Sequence, residues 1–180
     1  KRDDRVDECA HARIPALDDR LRCAPPNQPT ALHDADVIAE LVDVTNATAM
    51  GGLLSRIRSV GPPLRGVLHA AGVLANGALL RQDVETFQQV LAPKVEGAAL
   101  LDRLTRSDPL DWFVLFSSIA AILGGAGQAN HAAANAYLDQ LAWQRRAVGL
   151  PAVSINWGAW SEVGSAADIS DRLSELGVGF

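Results

Sequence analysis

The stretch DWFVLFSS at residues 111–118 constrains this chain more than any other. Five consecutive apolar side chains, Trp112 to Phe116, leave no polar face, as expected of a strand covered on both sides in a parallel sheet. Parallel strands need long crossovers, usually helices. The flanking segments supply them. From Asp83 to Leu104 the apolar residues Val84, Phe87, Val90, Leu91, Val95, Ala98, Leu101 and Leu104 recur at helical spacing, and Pro93 inside that run predicts a kink or a join. A glycine-rich loop, GGAGQ, leads into a second helix over about 129–148, stopped by Gly149 and Pro151.

The remaining segments repeat the theme. ADVIAELVDVTN reads as a short buried strand ending in the turn Asp43 to Asn46, with Thr45 or Asn46 capping a helix to about Ser59. A strand is predicted at Leu64 to Leu68, followed by a small-residue loop at Ala70 to Gly72. PAVSINWGAW reads as a last buried strand, and SEVGSAADISDRLSELG as a loop and short amphipathic helix. Strand and helix alternate at least three times, so the predicted fold class is α/β, a Rossmann-like doubly wound parallel sheet. Such sheets normally open with a GxGxxG loop between a strand and a helix, and this chain lacks that glycine-rich βαβ start. Gly51 and Gly52 lie inside a helical pattern and cannot serve. Residues 1–35 are charged and proline-interrupted, with CAPPNQPT at 23–30 read as loop or linker. One incomplete domain is expected over 36–180.

Composition narrows the function. The 180 residues are 48% apolar with net charge -5, enough for a core and unsuited to nucleic acid or an anionic membrane surface. Cys9 and Cys23 show neither CxxC spacing nor a histidine pattern, so no disulfide framework or metal site is indicated, and a reducing cytoplasm fits best. No apolar run is long enough to span a bilayer, and KRDDRVDECAHAR is unlike a signal peptide.

Ligands of open parallel sheets gather beyond the carboxyl ends of the strands. Asp43, His69 to Gly72, Ser117 with Ser118, and Asn156 to Gly158 all fall at such ends. Taken singly, each is also what a tight turn or a satisfied strand end would need.

Together with HAAG at 69–72 and APKVEGA at 92–98, LFSSIAAILGGAGQANHAAANAYLD and SINWGAW resemble the ketoreductase domain of modular polyketide synthases, a branch of the short-chain dehydrogenase/reductases. The resemblance runs over roughly residues 36–180 with matching order and spacing. It implies NADPH as cofactor, an acyl carrier protein presenting a β-ketoacyl thioester, and neighbouring polyketide synthase domains as partners. By the same resemblance Ser118 would bind the substrate carbonyl, Lys94 would lower the acid's pKa and hold the cofactor ribose, and Asn135 would complete the proton relay. Asp43 and Val44 would meet the adenine, Ala70, Ala71 and Gly72 would lie beneath the nicotinamide ribose, and Trp157, Gly158 and Ala159 would touch the carboxamide side. Lys94 as a solvated helix lysine and Asn135 as a helix-to-loop staple remain the plain alternatives.

One position departs from the family. Its acid is a tyrosine, and His131 stands there instead, thirteen residues after Ser118. Tyr137 does not replace it, being six residues further along a helix and on another side. A phenol starts near pKa ~10 and is drawn down by an adjacent ammonium, whereas imidazole starts near ~6.5 and is pushed lower. A mostly neutral His131 is a weaker acid, and its shorter ring implies a bridging water. Three readings follow: a reductase with histidine as acid, a reductively silent or epimerising domain, and a plain scaffold. Leu74, Ala75 and Asn76 replace the LDD fingerprint of one hydroxyl configuration, and Leu123 replaces the tryptophan of the other. A free-standing short-chain reductase would carry lysine where this chain has Asn135. Lys1 and Arg2 are candidates for a 2'-phosphate contact.

Overall fold

The computed structural model describes residues 29–32 and 35–158. The chain divides into two compact units, one formed by residues 42–158 and the other taking in residues 1–41 and 159–180. Lys1, Arg2, Ala159 and the expected helix within 161–177 lie outside the described residues.

Two strands are described in the second unit, β1 at Pro29–Leu32 and β2 at Ala35–Ile38. They pair antiparallel, Pro29 opposite Ile38 and Leu32 opposite Ala35. This corrects two expectations. The proline-interrupted stretch carries a strand, which Pro29 opens as its first residue, where a missing N–H is tolerated. The strand expected before Asp43 ends at Ile38, whose side chain is exposed, and residues 39–44 form no ladder.

Within residues 42–158, α1 (Ala47–Val60) starts at Asn46, whose side chain accepts the Ala49 N–H at 3.0 Å. Strand β3 (Gly66–His69) follows, then a 3-10 turn at Leu79–Arg81 and helix α2 (Val84–Thr105), capped by Asp83. Pro93 lies within one continuous helix, so no join occurs there. Strand β4 (Trp112–Ser118), a short helix α3 (Ala120–Leu123), helix α4 (Ala129–Ala147) and strand β5 (Val153–Trp157) complete the unit. Gly149 takes φ +77°, the left-handed conformation that ends α4 without a side-chain clash.

The strands form a parallel sheet in the order β3-β4-β5, with Val67 beside Phe113 and Leu115 beside Ser154. Alternation sends Phe113, Leu115 and Ser117 to one face, where all three are buried against the helices. There α2 and α4 pack together, and Ala98, Leu101, Leu138, Leu141 and Ala142 join Phe113 and Leu115 in the core. The opposite face carries Val114, Phe116 and Ser118, only half-buried, beside the exposed Leu68 and Val153. Full cover on both faces was expected of β4; among the described residues one face has it. Gly66 lies under the Trp112 indole so closely that a β-carbon would stand 2.1 Å from the ring.

Candidate active site

Lys94 is the centre of the site, and α2 explains its position. The buried residues Val90, Lys94, Gly97, Ala98, Leu101 and Thr105 form one stripe at helical spacing, so the lysine is carried inward with the core residues. It is 6% exposed, and its ammonium donates to the Phe116 carbonyl at 2.8 Å, at the carboxyl end of β4. Burial pushes its pKa down to about 8. The solvated-lysine alternative is therefore excluded. The loop beside it leaves no spare room, since a β-carbon at Gly72 would sit 2.9 Å from the Lys94 Cε.

Two histidines feel that charge. His131, in the first turn of α4, has its pKa lowered by burial and secondarily by Lys94. His69, at the carboxyl end of β3 and 3% exposed, is pushed down to about 4 by burial, then by Lys94, while the Pro93 carbonyl against its ring opposes the shift. The three side chains come from β3, α2 and α4, which the parallel topology brings to one end of the sheet.

Asn135, fully buried one turn after His131, directs its amide nitrogen to the His131 carbonyl at 2.8 Å and to the His131 Nε2 at 3.1 Å. His131 Nδ1, Asn135 Oδ1 and His69 Nε2 are buried without a hydrogen-bond partner among the described residues. Buried polar atoms seldom remain without a partner, so these three are candidates for bonding to water or to a bound molecule. Asn135 thus makes its side-chain hydrogen bonds to His131 within α4, and its Oδ1 is left open among the described residues.

Ser118 sits on the other face of β4 from Ser117, and its Oγ accepts the Ala120 N–H at 3.2 Å. Among the described residues no hydrogen bond ties it to Lys94 or His131. Ser117 belongs to a supporting network: it donates to the Asn135 carbonyl at 3.1 Å, and the Asn156 amide reaches Ser117 Oγ at 3.2 Å and Asp139 Oδ2 at 2.8 Å. Trp157 stacks at a tilt on Phe116, ring centroids 5.4 Å apart, and Gly158 is exposed beyond it. Ala70 and Ala71 are exposed above the strand ends. Asp43 is exposed at the start of α1, held below the usual carboxylate range by the Thr45 N–H and then its hydroxyl. Val44 packs inward one turn along α2 from Lys94, where a β-carbon at Gly97 would stand 2.7 Å from its Cγ1.

Asn130 was not anticipated from the sequence. Fully buried, it donates to the Ala75 carbonyl at 2.8 Å and accepts the His131 N–H at 2.7 Å, tying the loop after β3 to α4. Nothing in its spelling separates it from an ordinary polar residue near a helix start. Tyr137 packs against the core. No group of three or more histidine, cysteine, aspartate or glutamate side chains able to hold a metal occurs among the described residues. No helix among them is long and apolar enough to cross a membrane.

Comparison with known proteins places this geometry. A family model described as KR domain matches residues 27–162. A component of the pikromycin polyketide synthase of Streptomyces venezuelae is 48% identical over 151 residues, covering 80% of this chain and 4% of that protein. Among solved structures, the ketoreductase from the first module of phoslactomycin biosynthesis in a Streptomyces species is 45% identical with a TM-score of 0.70, over 78% of this chain and 31% of that one. A ketoreductase domain from the bacillaene assembly line is 35% identical with a TM-score of 0.73, over 80% of this chain and 37% of that one. The chain thus spans a small fraction of the synthases it matches and about a third of the solved domains. With its α/β parallel sheet and motif order in agreement, it belongs to the ketoreductase domain family of modular polyketide synthases.

Proposed function

We propose that the chain is the substrate-facing part of a cytoplasmic ketoreductase that reduces a β-ketoacyl thioester on an acyl carrier protein, with NADPH as cofactor, inside a larger synthase. The observation that carries this reading is the buried Lys94 ammonium, bonded to the Phe116 carbonyl near the end of β4 and felt electrostatically by His131, with buried atoms of His131, Asn135 and His69 unpartnered among the described residues. The described residues suit the nicotinamide end of a dinucleotide. Gly72 packs against Lys94 with Ala70 and Ala71 exposed just before it, Trp157 and Gly158 border the strand end, and Asp43 with Val44 would offer an adenine contact. The glycine-rich loop that would take the pyrophosphate is absent from the sequence. When bound, the cofactor supplies a hydride to the β-carbon.

The chain's own residues would do the rest. Ser118 accepts from the Ala120 N–H, which leaves its hydroxyl hydrogen to orient the substrate carbonyl. Lys94, pinned to the Phe116 carbonyl, sets a positive field that favours developing negative charge. His131 would face the carbonyl oxygen, directly or through a water, where the family's tyrosine donates.

A second reading, a reductively silent or epimerising domain, is favoured by one observation: burial and Lys94 both hold His131 toward its neutral, weakly acidic form. Following NADPH absorbance with a β-ketoacyl thioester surrogate separates the two in a polypeptide carrying the whole domain. Measurable turnover is expected, rising about tenfold or more in His131→Tyr and lost in His131→Phe. Equal rates for the unaltered domain and the Phe variant would refute histidine as the acid. No turnover with tight NADPH binding would favour the silent domain.

A further inference from the structure

A neutral imidazole carries one N–H, and its neighbours decide on which nitrogen. For His131 the deciding neighbour is Asn135. The Asn135 nitrogen lies 2.8 Å from the His131 carbonyl oxygen, a contact that assigns the amide, since the reversed orientation would set two acceptor oxygens against each other. The NH2 group so placed has a second N–H to give, and His131 Nε2 lies 3.1 Å from the same nitrogen. Nε2 must then accept, and the ring's own proton belongs on Nδ1, which is buried and has no partner among the described residues.

We propose that Asn135 is a positioning residue that locks His131 in its Nδ1–H tautomer, making Nδ1 the atom presented to a substrate oxyanion as a neutral hydrogen-bond donor. The proposal rests on the reading of His131 as the group facing the carbonyl oxygen. It gives Asn135 a task different from the relay role implied by family resemblance. It also limits the chemistry. With Nε2 engaged by Asn135 and Nδ1 protonated, the ring has no free lone pair to take a proton from the α-carbon. The arrangement serves stabilisation of a developing alkoxide by a fixed donor, which a buried, low-dielectric position strengthens. Asn135 Oδ1, buried and unpartnered beside it, is an acceptor available to a bridging water or a substrate hydroxyl.

The test is nitrogen NMR of the full chain labelled at histidine, with His131→Gln assigning the His131 signals among the 4 histidines. A pyrrole-type shift at Nδ1 and a pyridine-type shift at Nε2 are expected. In Asn135→Ala, and in Asn135→Asp where no N–H remains, the Nε2–H population should rise at least about fivefold. An Nε2–H ring in the unaltered chain, or a pattern unmoved by both variants, would overturn the proposal. Its failure is separable from that of the reductase reading. Turnover with an Nε2–H ring rejects the tautomer lock alone, and an Nδ1–H ring without turnover rejects reductase activity alone.

Discussion

The Lys94 ammonium is hydrogen-bonded to the carbonyl of Phe116, two residues before Ser118 on the same strand. A side chain from a helix thereby fixes the strand end at which the substrate hydroxyl contact would be made. Replacing Lys94 with methionine keeps the volume and removes both charge and donor. Stability is expected to stay within about 1 kcal/mol, because the lost hydrogen bond is offset by relief of a buried charge. Turnover should fall at least about a hundredfold. Denaturant unfolding and the NADPH assay, run on the same preparations, check both halves; unchanged turnover would remove Lys94 from the site.

His69 predicts an acid sensitivity. Its imidazole has an ordinary pKa of 6.5 and about 4 in the folded chain. Above 6.5 it is neutral in both states and contributes no pH dependence. As pH falls from 6.5 toward 4, the unfolded chain binds a proton that the folded one refuses, so stability drops, by roughly 3 kcal/mol at full development. Lys94, facing the ring from α2, adds to the refusal. Urea unfolding between pH 7 and pH 4 should show a shallower loss in His69→Gln than in the unaltered chain. Parallel profiles would mean the ring is solvated.

Arg145 is 1% exposed, stacked over Phe113 at 4.0 Å and paired with Asp102. Arg145→Met strands a partly buried carboxylate that, among the described residues, keeps Arg106 at 3.2 Å, and should cost roughly 3 to 5 kcal/mol. Asp102→Leu added to Arg145→Met should recover most of it, because the uncompensated charge is then gone. Thermal melts of the two variants decide; equal melts would show that the pair's charge is not what matters.

Asn130 ties Ala75 to the His131 backbone. Asn130→Ala should leave the core intact and loosen that one connection. Amide exchange at Gly77, which donates to the Gly127 carbonyl at 2.8 Å, and at His131 should quicken by about tenfold or more, with little change in the core strands. Uniform quickening would point to global destabilisation instead.

Much of this was legible in the sequence. Asn46 and Gly149 punctuated their helices because caps and left-handed stops are local chemistry, read within a residue or two. The alternation of strands and helices carried the parallel sheet for the same reason. The solvated alternative for Lys94 fails because its stripe-mates Val90, Ala98 and Leu101 carry it to the buried side; periodicity read for apolar residues only does not show this. The 3-10 turn at Leu79 and helix α3 went unseen, since three or four residues give a pattern too short to register. The Asn130 tether and the approach of Pro93 to His69 depend on partners distant in the chain. Neither leaves a periodic trace.

Trp112 and Gly66 carry one more consequence. Sliding β3 by a single place would push the Arg65 or Val67 side chain into space the indole already fills. A misaligned pairing is rejected on contact, and a missing methyl group acts as the key that lets only one alignment close. The carboxyl end of the sheet, toward which Lys94 and His69 lie, therefore inherits its accuracy from the opposite end.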